Sequence, residues 1–414
     1  MGYYKTLPLA ISLVWCIATT TAHASAPENS SVGSEAPTLA RVFSLARERA
    51  PEVVVAKAGL EASRSVSVGA RLSPLLNPYV EVISEHGRGV TRDVYVTAQV
   101  HTPIEIAGQR SRRVAEADAF IQWNTATLEH ARAQVSGAAV RTYGEYLAWS
   151  ARYETLTELL HSATTEAKVL LARRNAGDAT ERDAQLAEVE RARIAVQVDE
   201  AMASRGTVQN ELARLTGQSF APPDQSRLFP EGDFKGAGVT HAPTAPAVLG
   251  AQAEARYHAR QDERLERERI PPLSVIFQAG RGDFGEARLG AGLAWSLPVF
   301  RYNQGERAKA QAEGARARIA ASTYQGSIAL RLRSISEAIG QLRVAVERLD
   351  HEAIPAAAMA TESAARMYLA GKTDLLSVVV ARRDFYLLRM RRMEIAEHIW
   401  ALVGDWVELT GKLP

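Results

Sequence analysis

The feature that most constrains this 414-residue chain is that it is written twice. Glu211–Gly217 reads ELARLTG and Asp405–Gly411 reads DWVELTG, so two Leu-Thr-Gly endings stand 194 residues apart. The interval recurs upstream. Ala50-Pro51-Glu52-Val53 matches Ala245-Pro246-Ala247-Val248 at a spacing of 195, as do Pro103 with Pro298 and Gln109 with Gln304. Ala176-Gly177 matches Ala370-Gly371 at 194. Landmarks that keep their order with one single-residue shift define a tandem duplication, so the fold must be two copies of one supersecondary plan.

That plan is legible in each half. A helical stretch comes first, Thr38 to Leu72 and Pro246 to Ile270, with Thr38 a good N-cap type. Two short alternating segments follow, then a long helical run. Gln109 to Ala176 is 68 residues without a proline, which at helical rise spans about 100 Å. A glycine turn at Gly177 leads into a returning helix, Glu181 to Thr216. The second half repeats this with Gly305 to Ala370, a turn at Gly371 and a helix to Thr410; Pro355 predicts a kink or break within the long run. The repeats occupy 25–217 and 243–414, and the Pro- and Gly-rich 218–242 reads as a linker.

Lys5, the apolar run Leu7–Ala18 and the Ala22-His23-Ala24 site read as a secretory leader over residues 1–24, cut before Ser25. The run is shorter than the roughly 20 residues a membrane span needs. The only cysteine, Cys16, lies in that leader, so the rest of the chain has no disulfide, thiolate metal site or cysteine nucleophile. A net charge of +2 with both signs interspersed gives no pull toward nucleic acid. No later stretch is long and apolar enough for a helical span, so any membrane crossing must use β-strands.

The four alternating segments, about 78–85, 94–103, 273–280 and 288–298, suit that role. In VYVTAQVHTP one face carries Val94, Val96, Ala98, Val100 and Thr102, and the other Tyr95, Thr97, Gln99 and His101. The partner LGAGLAWSLP places Leu289, Ala291, Leu293, Trp295 and Leu297 on the matching face. Pro78, Val80, Val82 and Ser84 correspond to Leu273, Val275, Phe277 and Ala279. The apolar face carries no charge on any of the four segments, as a bilayer requires, since Lys or Arg at its midplane costs about 2–4 kcal/mol. Val94, Val96, Val100, Leu293 and Trp295 are therefore assigned to lipid, and Tyr95, Thr97, Gln99 and His101 to a lumen. A half-buried soluble sheet gives the same alternation. Four strands cannot close a barrel, because open edges are not tolerated in lipid, so two, three or four chains must share one. Pro103 and Pro298 are expected to stop strands, and Gly108 and Gly305 to turn the backbone into the long helices. Arg110, Arg112 and Arg113 read as a solvated helical face.

Over nearly the whole chain beyond the leader, this plan resembles the TolC-like outer-membrane efflux family. TPIEIAGQRSRRVAEADA (102–119) and SLPVFRYNQGERAKAQAEGA (296–315) are similar to the strand-to-helix junctions of its CzcC-like branch, associated with heavy-metal efflux. The first carries a form of that branch's E-x-x-G-x-R signature, Glu105 to Arg110, with Gln109 in place of the usual basic residue. The resemblance implies a mainly α fold with a transmembrane β-barrel: a homotrimer with twelve strands in the outer membrane, continued by a periplasmic α-helical coiled-coil barrel. It implies a periplasmic adaptor and an inner-membrane RND-type pump as partners. It also places Gly177 and Gly371 at the periplasmic entrance and Asp183 at a gate, with Asp178 and Asp374 as neighbouring candidates.

The expected function is a passive exit duct of a tripartite efflux system, for divalent heavy-metal cations; drugs or secreted proteins are the same-fold alternative. A soluble periplasmic coiled-coil scaffold is the alternative from another class. No Gly-rich phosphate loop precedes Lys-Ser/Thr, so no nucleotide hydrolysis is expected. The histidines beyond the leader show no i, i+3 or i+4 pairing with one another, so neither a cofactor nor a resident metal is expected.

Overall fold

The computed structural model describes residues 36–86, 94–223, 228–232, 241–281, 286–300 and 302–414. The expected leader, the polar strand-loop tips at 87–93 and 282–285, and much of the linker lie outside the described residues.

Helix α1 (Leu39–Arg49) starts where Thr38 Oγ1 accepts the Arg41 N–H at 3.4 Å. The expected single first helix is two, because Ala50 precedes a proline and is held extended (φ −56°, ψ 139°) before α2 (Pro51–Ala70). The second repeat reproduces this. Ala245 (φ −60°, ψ 137°) precedes α5 (Pro246–Arg267) in the same conformation.

Helix α3 (Gln109–Ala176) runs unbroken, and α4 (Glu181–Thr216) returns along it. Their counterparts are α6 (Gln304–Arg348), α7 (Ile354–Leu369) and the returning α8 (Leu375–Thr410). Between α6 and α7 the break expected at Pro355 takes the form of one π turn, Leu349–Ala353. There the Ile354 N–H donates to Leu349 O, five residues back, and Pro355 opens the next helix at a position where its missing donor costs little. Asp350, inside the π turn, is gripped by Arg392 of α8 at 2.6 and 3.1 Å.

Helix α3 is the hub. It packs against α2 and α5 on the strand side and against α4 and α8 farther away, while α6 lies beyond α5 and α7 beyond α8. Close approach of α3 to α8 depends on glycine. A Cβ on Gly144 would sit 2.0 Å from Trp400 Cβ, and one on Gly137 would sit 2.6 Å from Gly404 O. The core around this contact contains Tyr143, Tyr146, Leu147, Leu212, Leu332 and Trp400. Tyr143 meets the Trp400 ring edge-on at 5.4 Å, and Trp400 Nε1 donates to Leu228 O of the linker at 2.8 Å.

The two Leu-Thr-Gly endings are one structure built twice. Thr216 Oγ1 bonds Leu212 O (2.7 Å) and Gln218 O (3.1 Å); Thr410 Oγ1 bonds Trp406 O (2.9 Å) and Lys412 O (3.1 Å). Gly217 (φ 73°) and Gly411 (φ 72°) then take the left-handed conformation that ends a helix without a Cβ penalty.

Candidate channel wall, junction and tip

The wall is one antiparallel sheet in the order β1 (Tyr79–His86), β2 (Val94–Ile104), β3 (Leu273–Arg281), β4 (Ala287–Trp295). The two repeats meet at the β2–β3 pair. Its register opposes Val100 to Phe277 and Ala98 to Ala279, while Val82 opposes Ala98, and Val275 opposes Leu293. The apolar positions therefore form one continuous face across all four strands. That face is the open one: Val80, Val82, Val96, Val100, Phe277 and Trp295 are exposed, Leu293 is 70% and Leu289 85% exposed. Tyr95, Thr97, Gln99 and His101 lie on the opposite face, where β2 is more covered, and share it with the exposed Glu81 and Gln278. Val94 pairs with His86 at the far end of the ladder. In the described residues β1 and β4 each have one strand neighbour, so the sheet has two open edges.

At the junction the structure corrects three expectations. Pro103 does not stop β2, which continues to Ile104 with Pro103 opposite Ser274. Its nitrogen faces the β1 side beyond the last β1–β2 pair, Tyr79 with His101, so the missing N–H costs no ladder bond; its carbonyl accepts from Leu76 N at 2.9 Å. Pro298 lies beyond the end of β4 at Trp295. Gly108 does turn the chain (φ 73°), but Gly305 is already helical, and Asn303 (φ 65°) makes the second turn. Gly108 and Asn303 are 195 apart, in register with the repeat.

Gln109 and Gln304 explain their own recurrence. Gln109 Oε1 accepts from Ala107 N and Gln304 Oε1 from Tyr302 N, both at 2.9 Å, so each glutamine folds back over the turn that precedes its helix. Gln109 Nε2 also reaches Ile270 O of the other repeat at 2.7 Å.

The three arginines are all engaged, although Arg110 stays exposed. Arg110 caps α2 through Leu72 O and Arg71 O (3.0 and 3.1 Å), Arg112 pairs with Glu263, and Arg113 pairs with Glu105. Glu105, Gly108 and Arg110, the fixed positions of the E-x-x-G-x-R pattern, thus each hold the strand-to-helix corner.

The tips are likewise duplicated. Gly177 (φ 86°) and Gly371 (φ 68°) close the hairpins, with Asp178 N donating to Arg173 O and Lys372 N to Met367 O. Thr180 caps α4 by accepting Asp183 N (3.1 Å), and Asp374 caps α8 by accepting Ser377 N (3.0 Å) and the Ser377 hydroxyl (2.6 Å). Those two bonds hold the Asp374 carboxyl below the usual carboxylate range. Asp178 and Asp374 are exposed at the turns, whereas Asp183 is partly covered. Burial, then the Asp183 charge, pushes the Tyr368 phenol up. Tyr368 packs with Leu375, Leu170 and Ala187, and Arg382 pairs with Glu166 at 2.5 Å, so the two tips form one unit. Sequence reasoning missed Tyr368, Arg382 and Glu166, because nothing local marks a contact between residues so far apart in sequence, such as the 216 positions between Glu166 and Arg382.

Among the described residues no group of three or more His, Cys, Asp or Glu side chains is placed to hold a metal ion, and no helix is long and apolar enough to cross a membrane.

No family model matches the chain. The structure superposes on the outer-membrane channel OprN with a TM-score of 0.70 at 20% identity, covering 91% of this chain and 90% of that one. It superposes on the outer membrane protein VceC of Vibrio cholerae at 0.67 and 20% identity (89% and 94% covered). For CusC the TM-score is 0.71 at 11% identity (90% and 92%). The fold is that of the TolC-like outer-membrane channels. By sequence the chain is 27% identical over 370 residues to the cobalt-zinc-cadmium resistance protein CzcC of Cupriavidus metallidurans, covering 86% of both chains. The likeness to CzcC is one of sequence and the likeness to the channels is one of fold.

Proposed function

We propose that this chain is the outer-membrane exit duct of a tripartite efflux system, a passive conduit rather than an enzyme, with its helical part in the periplasm. The observation that carries the reading is the sheet. Its apolar face is continuous and open with a single charge, Arg281, at the far end of β3, its opposite face is largely polar, and in the described residues both of its edges are unpaired. Lipid accepts such a face and rejects such edges, so copies of the chain must complete the barrel. Three copies give twelve strands. The helical part supports the same closure: α4 exposes Val189, Val196 and Met202 on one flank, and α6 and α7 expose Ile319, Leu330 and Met359 on the other. Two different flanks that meet head to tail generate a ring when the rotation closes, as a sealed barrel requires.

Asp183 and the tip turns form the periplasmic entrance, where an adaptor docks, and an inner-membrane pump of the RND type supplies the energy. The cargo is a divalent heavy-metal cation, supported by the likeness to a cobalt-zinc-cadmium resistance protein.

The test is the state of the purified protein and the phenotype of its loss. A heat-modifiable trimer extracted from the outer membrane, with a deletion strain sensitive to zinc, cobalt or cadmium, is the expected result. A water-soluble periplasmic monomer overturns the duct, and sensitivity to drugs without metal sensitivity overturns the cargo.

A further inference from the structure

The covered face of the sheet contains a side chain that its surroundings do not satisfy. His101, on β2, is only 6% exposed, and neither Nδ1 nor Nε2 has a hydrogen-bond partner. A buried polar atom without a partner costs stability and calls for one, such as a water or an ion. Its neighbour in space is Glu81 of β1, one pair along the ladder: Tyr79 opposes His101, and Glu81 opposes Gln99. His101 Nε2 stands 3.2 Å from Glu81 Oε2, without the alignment of a hydrogen bond. The Tyr79 ring stacks on the imidazole at 4.5 Å and 8°, and that ring is itself half exposed, so a movable side chain covers the histidine.

The spacing has a second chemical meaning. Imidazole nitrogen and carboxylate oxygen each bind a zinc-like cation at about 2.0–2.2 Å. Two such ligands on one ion lie about 3.0 Å apart at right angles and about 3.4 Å apart at the tetrahedral angle, by the same bond lengths. The observed 3.2 Å falls between these values. An imidazole and a carboxylate also form a donor set suited to first-row divalent ions.

The geometry points to a divalent-cation transit site formed by His101 Nε2 and Glu81 on the covered face of the sheet, near the end where the strands join the helices. Two protein ligands, with water completing the shell, make a weak site, and a conduit requires weak sites so that the ion can leave again. Tyr79 covers the pair and must move aside when an ion binds. Gln99 and Gln278, opposite each other on the same face, continue a polar track along the wall. This inference deepens the duct reading and rests on it for the ion's role as cargo; the binding itself does not depend on it.

The test uses the detergent-purified full chain and equilibrium dialysis against ZnCl2, beside Glu81→Gln, which keeps the side chain's shape, and His101→Gln. The wild type is expected to bind about one Zn2+ per chain, and each variant to need roughly tenfold more Zn2+ or greater, a loss of the size that a disturbed metal site shows. Heat-modifiability of the variants reports that their assembly is intact. Wild-type protein that binds no Zn2+, or variants that bind it as the wild type does, overturn the site. If His101→Gln fails to assemble, Glu81→Gln and the wild-type stoichiometry decide. A water-soluble monomer that still loses Zn2+ on Glu81→Gln overturns the duct and leaves the site standing; a membrane trimer without Zn2+ binding does the reverse.

Discussion

The two repeats share a plan but not a burial. In the first, α3 is continuous and carries a long series of buried residues from Gln109 to Leu170. In the second, the equivalent path is cut by the π turn, and α7 has no buried residue at all. One copy has become the axle of the chain and the other its rim. The difference follows from position rather than from helix propensity: α3 has neighbours on both sides, whereas α6 and α7 each have an open flank. A helix enclosed on both sides is held straight by packing. A helix with a free flank tolerates a proline and a wider turn, here fixed by Arg392 on Asp350 with Phe229 of the linker 4.8 Å from the guanidinium.

The strongest way to break this comparison is to add one methyl group to each copy. Gly144→Ala drives a Cβ into Trp400 and should cost at least the roughly 1–3 kcal/mol of an overpacked core, because the obstruction lies at the base of the side chain and cannot rotate away. Loss of the proposed outer-membrane trimer is the readout. Gly340→Ala in α6 meets nothing within 4 Å and should gain about 0.5–1 kcal/mol in thermal unfolding. Destabilisation there instead would show that a neighbouring copy covers that surface.

The next effect should be equal in the two copies. Val96→Arg and Ala291→Arg occupy corresponding positions on the apolar face, and each should cost about 2–4 kcal/mol if that face meets lipid. Equal loss of heat-modifiable trimer is expected, and tolerance of either substitution would remove its strand from the membrane. Smaller again is Arg382→Ala, which unties the second hairpin from Glu166 of the first. A loss of about 1–3 kcal/mol is expected, and a double-mutant cycle with Glu166→Ala should recover most of it as coupling.

The smallest effect is a response to acid in one tip alone. The Asp374 carboxyl is depressed by its bonds to Ser377, so its contribution is complete above the ordinary carboxylate range and lost as pH falls through the lowered value. Thr180, the equivalent cap, does not titrate. Amide exchange at Ser377 should therefore quicken in acid relative to that at Asp183, and equal quickening would dissociate the carboxylate from the cap.

Much of the fold was legible because its boundaries are punctuated. The bounds of α3 and α4 follow from Gln109, Gly177, Thr180 and Gly217, where capping chemistry is local. The strand faces were legible because period two cannot slip by one residue without exchanging the whole apolar set. The junction was less so. Gly305 drew attention as a glycine, yet Asn303 makes the turn, since asparagine tolerates the left-handed region and the repeat register outranks residue type. Pro103 misled because its effect depends on which strand edge its nitrogen faces, a tertiary fact. Arg110, Arg112 and Arg113 gave no sign of their partners Leu72, Glu263 and Glu105, because a basic run reads the same whether it is solvated or paired. The roles assigned to Asp178, Asp183 and Asp374 rest on the resemblance; the fold shows where these residues sit, and two of the three tip positions are occupied with helix capping or turn closure.

Apart from Gly232, every left-handed residue in the described chain falls into one of three pairs: Gly108 with Asn303, Gly177 with Gly371, and Gly217 with Gly411. The side chains between them have diverged so far that few positions still match. The ancestry of this molecule is thus recorded less in its letters than in the signs of six torsion angles. A mutation that merely changes a helix face edits the text, whereas one that forces any of those six to the other sign erases the copying mark itself.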